Sequence, residues 1–331
     1  MNRPTKAIAL LLIVVLTVTG CTSSSNTVGD RRIPSGGAPL PAGAAEVTSV
    51  ESPPIDTSCG DPTASLRPTG PLPTPGDMPP GTTMAKIRAQ GKLIVGVDQN
   101  TYQFGFRNPR TGQIEGFDLD MARAIAKAIF GDENKIQLRV LVSAQRIPAL
   151  KNGDVDLVVQ TMTVNCERRR DIEFSSVYYM ANQKVLVKED KATVYKSIDD
   201  LGGKRVCASE GSTSLKRIVE AKSKPIGVSV PGWTDCLVML QQNQVEAVST
   251  DDTILAGLKA QDPFTEITVA SMHEEPYGMG IPKGQEDFVR FVNAVLDQMR
   301  SNGDWAKIYS KWLATLLPGP IPAPPAPLYR D

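Results

Sequence analysis

The sequence predicts an α/β protein of two lobes, each a mainly parallel sheet with helices on its faces, with two strands crossing between the lobes beside a cleft. Two observations predict it. Residues 84–316 alternate short apolar runs with stripes of helical period, the pattern of repeated βα units. Two extended apolar segments, 179–187 and 276–282, have no partner within their own half, and crossing between lobes would supply one. Lobe 1 is therefore expected to be discontinuous, 84–181 plus 277–316, with lobe 2 at 182–276.

The elements follow in order. Leu93-Ile94-Val95-Gly96-Val97 is short and apolar, a buried strand. Phe104-Gly105-Phe106-Arg107 runs into the turn Pro109-Arg110-Thr111-Gly112, a hairpin signal. Asp118 is placed to cap a helix reaching Phe130, with Leu119, Ala122, Ile125 and Ile129 on one face. A strand at 136–142, a short helix at 147–151 and a strand at 155–159 complete the first half. The second half repeats the style, with strands at 204–208, 226–230 and 246–249 and helices at 214–222, 234–242 and 253–261. Phe288, Phe291, Val292, Val295, Leu296 and Met299 then form a helical stripe, and a last helix covers 305–313. Trp233 and Trp305 read as packing residues and His273 as a surface histidine.

The ends differ in composition. Arg3 and Lys6 precede an apolar run from Ala7 to Val18, too short to span a bilayer comfortably, so residues 1–20 read as an export signal. Val18-Thr19-Gly20-Cys21 resembles a bacterial lipobox, in which Cys21 is acylated and becomes the mature N-terminus. Two acyl chains anchor a protein where one does not. Residues 21–83, rich in Ser, Thr, Gly and Pro, are expected to be a flexible tether, and residues 317–331 a Pro-rich disordered tail.

Charge and rare residues narrow the function. With 36 Lys+Arg against 36 Asp+Glu, the chain has no basic footprint for nucleic acid. Its single histidine makes a His-rich metal site impossible and removes the usual general base for nucleophilic catalysis. Cys59, Cys166, Cys207 and Cys236 remain beyond Cys21, and an even number in an exported chain suggests disulfides. Of the three pairings, Cys207–Cys236 is favoured because both lie in one compact segment, leaving Cys59–Cys166 by elimination.

An ordered set of motifs then carries a resemblance. Gly116-Phe117-Asp118-Leu119-Asp120-Met121-Ala122 comes first. Arg146-Ile147-Pro148-Ala149-Leu150-Lys151-Asn152-Gly153-Asp154-Val155-Asp156 follows, and continues through Thr161-Met162-Thr163-Val164-Asn165-Cys166-Glu167-Arg168. Phe174-Ser175, Tyr178-Tyr179, Gly211-Ser212-Thr213-Ser214, Thr250-Asp251-Asp252 and Tyr277-Gly278-Met279-Gly280-Ile281 complete the order. The set resembles the extracellular solute-binding proteins of family 3, which serve polar amino acid uptake, and is most like their lipoproteins for glutamate, aspartate or the amides. The resemblance implies a periplasmic-binding-protein-like fold of type II, with the ligand cleft between the lobes.

It also implies residue roles that chemistry supports. Arg168 matches the arginine that grips the ligand's α-carboxylate, where a guanidinium donates two parallel hydrogen bonds. Thr163 would complete that site through its N–H and hydroxyl, with Thr161 beside it, and Asp251 matches the aspartate that takes the α-ammonium. Ser209, Ser212 and Thr213 would add donors from lobe 2, at a turn before a helix where free N–H groups favour anions. Arg146 stands where acidic-amino-acid binders place a second arginine, whereas Asp98 stands near a position where some carry another, a departure that would admit the amides. Tyr102, Phe104 and Phe106 would flank the ligand's aliphatic part, one of the two phenylalanines falling to the core by alternation. Arg168 in lobe 1 and Asp251 in lobe 2 make ligand binding and closure one event.

The expected protein is a monomeric receptor, without catalysis or cofactor, on the outer face of the cell membrane. It would bind free Glu, Asp, Gln or Asn and pass it to the membrane permease of an ABC importer, or report occupancy to a membrane sensor. A dehydratase on the same scaffold is the enzymatic rival; it would need an acid or base at a leaving hydroxyl and no ammonium-specific pair.

Overall fold

The computed structural model describes residues 40–49 and 59–330; the signal at 1–20 and the lipobox Cys21 lie outside the described residues. In lobe 1, one sheet runs in the order Ile136–Val140, Leu93–Val97, Leu157–Val158, Gly280–Pro282, Ile172–Phe174. Its first three strands are parallel, and Gly280–Pro282 runs against both neighbours. Leu93, Val95 and Val97 face a core with Phe117, Ile125, Tyr178, Phe288 and Trp305, while Ile94 packs on the opposite cluster of Leu150, Val158 and Phe174. A parallel strand covered on both faces reads as an unbroken apolar run, which is why Leu93–Val97 is legible.

In lobe 2 the order is Ala45–Val47, Ile226–Val230, Arg205–Ser209, Ala247–Asp251, Tyr179–Lys188, Thr265–Ile267. Helices Thr213–Glu220, Trp233–Gln241 and Asp252–Gln261 alternate with the strands, and Leu215, Ile218, Trp233, Leu237, Leu255 and Leu258 join the lobe's core. The lobes are joined by Tyr179–Lys188 and His273–Tyr277, paired antiparallel from Tyr179 with Tyr277 to Gln183 with His273. The second crossing strand therefore ends at Tyr277, and Gly280–Pro282, expected to cross with it, belongs to lobe 1's sheet.

Two corrections concern the termini. Residues 59–83 were expected in the tether and 317–330 in a disordered tail, yet both are folded against lobe 1. Cys59 is bonded to Cys166, and Cys207 to Cys236. Ser65–Leu66 pairs in parallel with Tyr329–Arg330. Proline-rich backbone lacks donors for a ladder of its own, but its carbonyls remain free. Lobe 1 side chains reach them: Arg169 donates to the carbonyls of Pro62 (2.6 Å) and Ala64 (2.9 Å), Asn293 to Leu66 (2.7 Å) and Arg300 to Pro325 (3.0 Å). Residues 40–47 are not free either, since Ala45–Val47 pairs with the edge strand Ile226–Val230.

Asp118, expected to cap its helix, does not. Helix Phe117–Phe130 has Gly116 as its N-cap, at φ 139°, and a Cβ there would collide with the Phe104 carbonyl. The first helical N–H groups are taken by main chain, Phe117 to the Gln103 carbonyl and Asp118 to that of Phe104. The Asp118 side chain, released from capping, is buried and turned into lobe 1.

Candidate ligand cleft

The cleft is built on loops that leave the C-terminal ends of strands in both lobes. In lobe 1, Leu157–Val158 leads to Thr161, held at φ 37°, a left-handed backbone that β-branched residues rarely adopt. Asp118 holds it there: its Oδ2 accepts from Thr161 N–H at 2.9 Å and its Oδ1 from Tyr178 O–H at 2.8 Å. Arg146 supports the same loop, with Nη1 donating to the carbonyls of Gln160 (3.0 Å) and Thr161 (3.5 Å) and Nε to that of Ser143 (3.0 Å). The loop is then stitched to the crossing strand by Val164 N–H to Pro276 (2.8 Å) and Gly278 N–H to Met162 (3.0 Å).

Asn165 caps the next helix, Cys166–Asp171, accepting from Arg168 N–H at 2.8 Å. Arg168 folds back from this first turn. Its Nη1 donates to the Thr163 carbonyl at 2.7 Å and its Nη2 reaches the Gly211 carbonyl of lobe 2 at 3.2 Å. From lobe 2, Asp251 ends strand Ala247–Asp251, and its Oδ2 accepts from Tyr277 O–H at 2.6 Å. Its Oδ1 is buried with no hydrogen-bond partner.

The charges act on one another. Burial drives the Asp251 carboxyl well above the usual range, and the Glu275 charge adds to it. Burial lowers Arg146 to about 9, helped by the charge of Arg168 and opposed by those of Asp98 and Asp251. Burial also lowers Arg168, against the attraction of Glu275. Asp98 is raised by burial, against three donors: Thr101 O–H at 2.5 Å and the N–H groups of Gln99 and Asn100.

The lobes are shut on one another. Glu167 and Lys216 pair across the seam at 2.9 Å. A Cβ at Gly211 would stand 2.7 Å from Ala144 Cα, and one at Gly257 3.1 Å from the Tyr102 carbonyl, so glycine permits both approaches. A groove of about 980 Å³ follows the seam past Thr163, Arg168, Thr213, Arg217 and His273.

Two lobes, two crossing strands and convergent Arg168 and Asp251 are the arrangement that the ordered motifs imply. Residues 93–315 match the bacterial extracellular solute-binding proteins, family 3. The chain belongs to that family. An ABC transporter glutamine-binding protein of Bacillus subtilis is 40% identical over 232 residues, 70% of this chain and 84% of that protein. A glutamate-binding protein of Corynebacterium efficiens is 27% identical, covering 71% of this chain and 83% of its own. Among solved structures, an ancestral arginine-binding protein bound to glutamine superposes with a TM-score of 0.64 at 32% identity, over 67% of this chain and 98% of that one.

In this solute-binding protein several implied ligand contacts have other work. Phe104 is completely buried among Phe117, Tyr179 and Tyr277, a core residue behind the cleft, as alternation allowed for one of the pair. Tyr102 stands at the seam against Gly257. The Ser212 hydroxyl caps helix Thr213–Glu220, accepting from Leu215 N–H at 3.1 Å. The Ser209 hydroxyl donates to the Pro231 carbonyl at 2.9 Å. Thr163 and Thr213 hydroxyls both donate to Glu275, at 2.6 and 2.9 Å. Glu275 itself is not among the residues that the sequence motifs single out. The available signal was alternation: counting back from buried Tyr277 in an extended segment turns Glu275 inward.

Proposed function

We propose that this protein is an exported, monomeric receptor that closes on a polar amino acid, Glu or Asp or one of their amides, and delivers it to the membrane permease of an ABC importer. The α-ammonium is taken by Asp251, and the α-carboxylate by Arg168 together with Thr163 N–H. Arg146, whose Nε and Nη1 are engaged with carbonyls, offers Nη2 to the end of the ligand side chain, with Thr161 alongside. Cys21 carries the lipid that keeps the receptor at the membrane. The observation that carries this reading is the Asp251 carboxyl oxygen Oδ1, buried at the end of lobe 2's strand Ala247–Asp251 without a donor. Burial without that donor raises this carboxyl well above the usual range, and an ammonium group beside it would favour the ionised form.

The relatives' names agree with an amino acid as ligand. Their main-chain chemistry explains why one cleft scaffold suits several of them: the zwitterion is gripped at both charged ends, and the remaining contacts select the side chain. A thermal-shift screen of the amino acids, on the chain from Leu40 onward, tests the reading. Glu, Asp, Gln or Asn at 100 times its Kd adds about 2.7 kcal/mol to native stability and raises Tm accordingly. Arg168→Ala removes that shift. Full affinity in this variant, or no response to any amino acid in the parent, would falsify the assignment.

A further inference from the structure

Glu275 has no exposed surface, yet it is a carboxylate on a strand that crosses between lobes. Stripping a carboxylate of water costs several kcal/mol unless hydrogen bonds and an opposite charge replace it. Here both oxygens are supplied. Oε1 accepts from Arg217 Nε at 2.9 Å, and Oε2 accepts from the hydroxyls of Thr163 at 2.6 Å and Thr213 at 2.9 Å. The His273 ring nitrogen stands 3.9 Å from Oε1. These partners come from both sides of the cleft. Thr163 belongs to the lobe 1 loop that carries the Arg168 site, while Thr213 begins lobe 2's helix Thr213–Glu220 and Arg217 lies in its last turn.

A threonine hydroxyl has one proton to donate. Thr163 and Thr213 give theirs to Glu275, so neither hydroxyl remains a donor for the ligand's α-carboxylate. That leaves Arg168 and main-chain N–H groups for the carboxylate. It also means that one set of closing contacts is made by protein atoms alone.

We propose that Glu275 is a positioning residue, a latch that ties Thr163 of one lobe to Thr213 and Arg217 of the other and so sets the closed fraction of the ligand-free receptor. The proposal deepens the amino acid-binding reading, on which its consequence for affinity rests. A ligand that binds the closed state meets an apparent affinity scaled by the closed fraction. Weakening the latch therefore weakens capture through the closed fraction, and the ligand-free distances separate that effect from the Glu275 charge felt by Arg168 and Asp251.

The test is the distance between nitroxide labels at Arg110→Cys and Gln261→Cys, exposed positions on lobe 1 and lobe 2. It is measured by pulsed electron resonance, first with no amino acid present. Glu275→Gln keeps the shape and removes the charge that faces Arg217. The expected result is a shift of the ligand-free distribution toward longer separations, with a Kd for the bound amino acid about tenfold weaker, as a tenfold smaller competent fraction requires. Thr213→Val removes only lobe 2's hydroxyl and shifts the distribution the same way. Combined with Glu275→Gln it adds little, because the two act through one contact. Unchanged ligand-free distances in both variants, or fully additive effects, overturn the latch. If Glu275→Gln does not fold, Thr213→Val and Arg217→Met decide alone: opening in either supports the latch, and opening in neither removes it. A parent that binds no amino acid defeats the ligand assignment but leaves the ligand-free distances to judge Glu275.

Discussion

The two lobes hold their charges differently. In lobe 1 three buried charged groups are met within the lobe, Asp98 by three donors, Asp118 by Tyr178 and Thr161 and Arg146 by three carbonyls, while Arg168 is shared between Thr163 and lobe 2's Gly211. In lobe 2 Asp251 has one oxygen bonded to Tyr277 and the other to nothing. Lobe 1 is thus arranged ahead of the ligand and lobe 2 carries the deficit. In the proposed mechanism the amino acid seats on lobe 1 first, and the unmet carboxylate makes closure over it favourable.

Three variants break or sharpen this contrast. The largest effect belongs to Asp251→Asn, which lowers affinity at least a hundredfold, about 3 kcal/mol, by removing the ammonium's counter-charge. The same variant raises the Tm of the ligand-free protein, since an amide does not bear the burial cost of an unpaired carboxylate. Calorimetry of ligand-free protein decides: a lower Tm would put Asp251 on the same footing as lobe 1's groups. Next comes Arg146→Ala. Loss of its carbonyl bonds destabilises the ligand-free protein by about 1–3 kcal/mol, and titration shows a greater loss for Asp and Glu than for Asn and Gln. Equal losses would make Arg146 a support of the loop alone.

The smallest effect is on the pH dependence of stability. Burial lifts Asp118 from 3.8 to about 7, so the folded chain keeps a proton that the unfolded chain sheds in that interval. Its contribution to stability is complete below 3.8 and is lost as pH rises to about 7, at a slope no steeper than about 1.4 kcal/mol per pH unit. Asp118→Asn flattens this fall in denaturant midpoints taken from pH 4 to 8. An unaltered slope would show that Asp118 is ionised throughout.

The order of strands and helices was legible because periodicity records which faces are covered; Ile226–Val230 and the stripe on Glu286–Ser301 are cases. Arg168 and Asp251 were legible through the motifs around them. The packed ends were not. Residues 59–83 have no period, and what orders them is supplied from far along the chain, by Cys166, Arg169 and Asn293. Asp118 was misread because its position fits a cap, and only the approach of the hairpin carbonyls at Gln103 and Phe104 relieves it of that task. Glu275 was masked by the exposed pair His273-Glu274 before it, although strand alternation pointed inward.

The short strand Ala45–Val47 lies along the outer edge of lobe 2's sheet, where Ile226–Val230 would otherwise present bare backbone to solvent. An uncovered edge is a template for strand addition from a second molecule. A chain trimmed to residues 84–316 would lose that cover, and Cys166 would become a free thiol beside the cleft mouth. Such a fragment would invite cross-molecule pairing and oxidation, so self-association in it would reflect the missing arm and say nothing of the intact receptor.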